Sequence, residues 1–94
     1  SPDELRLRPH LAAAWAASRV LDEQIGADEY TTFAVFTEPQ EQWQGRSRWD
    51  VLADPDTGEG ELERIKVEIY KEIRHRASQN RILLRDPRTT LPEA

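Results

Sequence analysis

The chain has 94 residues, of which 37% are hydrophobic and 33% charged, with a formal net charge of −5 and no cysteine. That size supports one core, and the lack of Cys excludes a disulfide framework, thiolate metal sites and thiol catalysis. The longest strongly apolar run, Leu11 to Ala17, is too short and too rich in Ala to cross a membrane, so the expectation is a soluble chain, cytoplasmic or part of a larger assembly.

Pro9 suits the first turn of a helix. Leu11, Ala14, Ser18, Leu21 and Ile25 recur at three- and four-residue intervals, and Gly26 supplies a left-handed stop. The spacing predicts a helix over 9–25, with Trp15 and Val20 on its flanks and Arg19, Asp22 and Glu23 in water. Tyr30 to Thr37 is rich in aromatic and β-branched residues and short of helix formers, which predicts a strand. One of its faces carries Tyr30, Thr32, Ala34 and Phe36, the other Thr31, Phe33, Val35 and Thr37. In 48–53, Trp49, Val51 and Ala53 alternate with Arg48, Asp50 and Leu52, which predicts a second strand that pairs with the first as a hairpin. The connection, Glu38 to Ser47, is longer than the usual hairpin loop.

Asp54 to Gly60 is dense in turn residues, and the most regular amphipathic pattern of the chain follows it. Leu62, Ile65, Ile69, Ile73 and Ala77 make one stripe, widened by Val67 and Tyr70, and predict a helix over 60–77. Gln79 and Asn80 break the pattern, and Arg81 to Arg85 reads as a short third strand at a sheet edge. Residues 89–94 read as a flexible tail after a single domain over 1–88.

Charge is divided by position. Residues 1–60 hold five Arg and twelve Asp or Glu, whereas 71–88 hold six basic residues against Glu72 and Asp86. Lys71, Arg74, His75, Arg76, Arg81, Arg85 and Arg88 could complement a helix carboxyl end, meet an acidic protein or a second copy of the chain, or follow a phosphate backbone. Trp43 stands in a Gln-rich loop with no apolar periodicity around it, where a Trp either anchors a partner or folds back over one end of the core. Asp54, Asp56, Thr57, Glu59 and Glu61 offer hard oxygen ligands but lack the spacing of a calcium loop, and turn formation explains them without a metal. His10 and His75 have no metal-ligand spacing. No nucleophile motif or glycine-rich phosphate loop is present, so the expectation is a non-enzymatic chain with no cofactor and no metal.

The order of elements predicts an α+β fold, a small antiparallel sheet packed against two helices in the order α-β-β-α-(β). The helices would cover the sheet side bearing Phe33, Val35, Trp49 and Val51, leaving Tyr30, Phe36 and Leu52 on a face in need of a cover. The same order occurs in small ring-forming subunits such as phage tail-terminator proteins, an analogy of element order with no motif behind it. The leading expectation is an interaction or assembly subunit, oligomeric or bound to a protein partner through Trp43, Gln44, Arg46, Tyr30, Phe36, Arg74, Arg76, Arg81 and Arg85. Alternatives are a nucleic-acid-binding accessory domain, using Lys71, Arg74, Arg76, Arg81 and Arg85, and a small acidic inhibitor of the immunity type. No membrane partner is expected.

Overall fold

The computed structural model describes residues 9–85, with side chains as far as residue 81. Among the described residues there are four α-helices: α1 (Pro9–Ile25), α2 (Glu29–Thr37), α3 (Arg48–Ala53) and α4 (Glu59–Arg85), with a 3₁₀ turn at Glu41–Trp43 between α2 and α3. Among the described residues there is no strand, and the one β-type contact is an isolated antiparallel bridge between Pro39 and Ser47. The α+β expectation is therefore overturned in favour of a helical bundle. The likeness in element order to ring-forming subunits falls with it. The domain limit at 88 and the tail over 89–94 lie outside the described residues.

Helix α1 spans 9–25 as its spacing predicts. Gly26, at φ +69°, ends it in the left-handed conformation that glycine adopts without strain, and donates its N–H to the Asp22 carbonyl at 2.8 Å. The first two predicted strands are instead helices, each started by a capping residue. Asp28 accepts a 2.7 Å hydrogen bond from the Thr31 N–H at the start of α2. Ser47 and Asp50 form a reciprocal capping box at the start of α3, with bonds of 3.1 and 2.9 Å. Once α2 is helical, Thr32, Val35 and Phe36 fall on one side at three- and four-residue intervals, and all three are buried. Tertiary burial plus a cap outweighs the β preference of Val, Thr and Phe in a nine-residue segment.

The third predicted strand is the last turn and a half of α4, which continues through Gln79 and Asn80 to a length of 27 residues. At the usual rise of 1.5 Å per residue that makes a rod of about 40 Å. Arg81 donates to the Ile25 carbonyl at 3.1 Å, satisfying an end group of α1 that has no partner within its own helix. His10 lies 3.4 Å from Glu59 at the other end, so α1 and α4 run parallel.

The core is built on α4. Leu62, Ile65, Ile69, Ile73 and Ala77 are all buried, and the first four form one cluster with Leu11, Ala14 and Leu21 of α1, Val35 and Phe36 of α2, and Val51 and Leu52 of α3. Val67, expected to widen the stripe, is half exposed on the outer side, while Tyr70 packs against the core. Trp15, Phe36 and Trp49 form a mutually edge-to-face trio with ring centroids 5.2 to 6.2 Å apart. Asp22, expected in water, is buried and accepts a 2.5 Å hydrogen bond from the Thr32 hydroxyl, which ties α1 to α2.

Candidate protein-docking surface

A change of period redistributes the side chains of α2. On a strand, Tyr30 and Phe36 share a face; on a helix, Tyr30, Phe33 and Thr37 share the outer one, and all three are exposed. Tyr30 is 82% exposed and Phe33 54%. Together with the half-buried Trp15 of α1 they line an open groove of about 660 Å³, rimmed by Asp28 and Glu29. No residue of α4 lines it. On its other side Tyr30 borders a second depression, shared with His75, Arg76, Gln79 and Asn80 of α4. Phe36 belongs to neither: it is fully buried, which corrects its placement on an uncovered face, and Leu52 is buried likewise.

The loop residues take more modest places. The long connection closes on itself: Gln40 N–H donates to the Arg46 carbonyl at 3.0 Å and Gly45 N–H to the Gln40 carbonyl at 2.9 Å. Gln44 holds the left-handed conformation at φ 56°. Trp43 is half-buried and packs against the core, as a loop that folds back would place it. Arg46 is exposed and pairs with Asp54 at 2.9 Å. Asp54 also accepts the Asp56 N–H at 2.9 Å, and Thr57 donates to the Val51 carbonyl at 2.8 Å, so the acidic turn is held by its own side chains.

The basic residues divide into two groups. Arg76 is engaged internally: it donates through both terminal nitrogens to Glu38 and through Nε to Glu72 at 2.8 Å. Glu38 also meets the buried Arg48, at 3.4 Å. Arg48 bonds the Val35 carbonyl at 3.0 Å and Glu68 at 2.9 and 3.1 Å, and Arg64 carries the chain of charges on to Glu61. The hydrogen bond from Arg76, aided by the charge of both arginines against a smaller cost of burial, holds the Glu38 carboxyl below its ordinary value. The same bond raises Arg76. This network joins α2, α3 and α4, and Arg48 at its centre carried no signal in the sequence beyond its place in an alternating run.

Lys71 and Arg74, by contrast, are exposed and meet no carboxylate among the described residues. With Val67 they follow four- and three-residue spacing along the outer side of α4, whereas Arg81 is turned to the end of α1. The side chain of Arg85 lies outside the described residues. One group with metal-ligand chemistry occurs among the described residues: His10, Glu59 and Glu63 have donor atoms within 4.8 Å of one another. His10 lies 3.4 Å from Glu59 there, and Glu63 is paired with Lys66 at 2.7 Å. No described helix is long and apolar enough to cross a membrane. Comparison of the chain with protein-family models, curated proteins and solved structures finds no match.

Proposed function

We propose that this chain is a non-enzymatic protein-docking module whose contact surface is the outer face of α2 with the adjoining Trp15. The observation that carries the reading is the exposure of Tyr30 and Phe33, 82% and 54%, on one side of a nine-residue helix whose other side is core. Large aromatic rings left in water gain most from a partner, because each buries a wide rigid area with few rotamers to freeze. The rings do little for the fold itself. Replacing both with Ser should change unfolding free energy by no more than about 0.5 kcal/mol, as for other exposed positions.

The test is a photo-reactive phenylalanine analogue at position 33, irradiated in the cells that make the protein. A discrete covalent adduct, lost when Tyr30 is also changed to Ser, supports docking. Irradiation that yields only scattered or no adducts removes the reading. A phosphate-backbone partner is less well served, since Arg76 is occupied by Glu38 and Glu72.

A further inference from the structure

We infer that the partner of the aromatic face is a second copy of this chain, bound through the outer side of its α4. The inference rests on the docking reading above and names the occupant. Two surfaces of one molecule complement each other. The groove at Tyr30 and Phe33 is apolar and rimmed by Asp28 and Glu29. The outer side of α4 presents the half-exposed Val67 in a shallow depression beside Lys71, and Arg74 follows one turn on.

The acidic residues of that second depression are already committed, Glu63 to Lys66 and Glu68 to Arg48 and Arg64. The unmatched charge is therefore positive, from Lys71 and Arg74. A cationic side chain over an exposed aromatic ring gains from the ring's negative face, and the rim carboxylates add to it. Asp28 and Glu29 are partly satisfied within their own chain, by the Thr31 N–H and by Arg19 at 3.3 Å, which sets the attraction at a moderate level.

The two surfaces share no residue, so one copy can use both at once. The contact is heterologous, groove to stripe, and repeats head to tail until it closes or is exhausted.

Complementation between two variants tests this arrangement. Tyr30→Ala/Phe33→Ala keeps only the stripe intact, and Lys71→Glu/Arg74→Glu keeps only the groove. All four positions are exposed, so both variants should fold, which circular dichroism checks. Wild-type protein should self-associate with rising concentration in light scattering, more weakly at high salt. Each variant alone should be monomeric, and an equal mixture should form a one-to-one heterodimer and stop there. A wild type that stays monomeric, a variant that still self-associates, or a mixture that remains monomeric would each overturn the inference. The docking reading fails separately, if neither cells nor purified protein give a discrete adduct from position 33; if purified protein gives none but cells give one of a different mass, docking stands and this inference falls, the occupant being another protein.

Discussion

Arg48 shows how much of this fold rests on one residue that the sequence does not advertise. Its guanidinium is buried, yet every contact is met: a carbonyl of α2, Glu68 of α4 and Glu38 at the end of α2. Arg48→Leu would strip the Val35 carbonyl of its side-chain donor and leave Glu68 with Arg64 alone, and should destabilise by about 2–3 kcal/mol in a urea titration. A loss below about 0.5 kcal/mol would mean that water replaces the guanidinium without cost. Glu38 gives the network an acid dependence. Its folded-state pKa lies below the ordinary 4.5, so its stabilisation is complete above that value and disappears as pH falls through the lower one. Wild-type protein should therefore lose stability below pH 4.5 more steeply than Glu38→Gln, and parallel acid limbs would contradict the pairing.

At the level of elements, the stretches misread as strands carried two signals in conflict. The run Tyr30 to Thr37 has strand composition, but Asp28 stands two residues before it, and Thr32, Val35 and Phe36 carry helical spacing. At Ser47 the pattern Ser-Arg-Trp-Asp is a capping box, while the alternation after it mimics a strand. Caps and buried faces together decide both segments, because each helix is too short to form on propensity alone. Asp28→Ala and Ser47→Ala should each lower stability by about 1 kcal/mol, and an unchanged unfolding midpoint in both would show that packing alone dictates them. The helices over 9–25 and from 59 onward were legible because their period persists for several turns. The end of α4 was not, since Gln79 and Asn80 weaken a helix without stopping it and the Arg81 contact to α1 joins residues far apart in sequence.

The proposed docking surface was half legible for the same reason. Tyr30 is exposed under either reading, whereas Phe33 and Phe36 exchange places when the period changes from two to 3.6. Over the whole molecule, the charge division seen in the sequence becomes a division along α4. Glu59 and Glu61 stand in its first turn, Lys71 and Arg74 on its outer side near the middle, and Arg81 further on is held by the Ile25 carbonyl. Arg76 drops out of the basic set, because the structure commits it to Glu38. What remains is a small group of unmatched cations on one side of the bundle and an aromatic groove with an acidic rim that no part of α4 lines. The most direct test of docking between copies is a dilution series followed by the chemical shifts of assigned backbone amides. The expected result is concentration-dependent shifts confined to two places, the outer side of α2 around Tyr30 and Phe33 and the stretch of α4 from Val67 to Arg74. Shifts that centre elsewhere, or none up to the solubility limit, would contradict it.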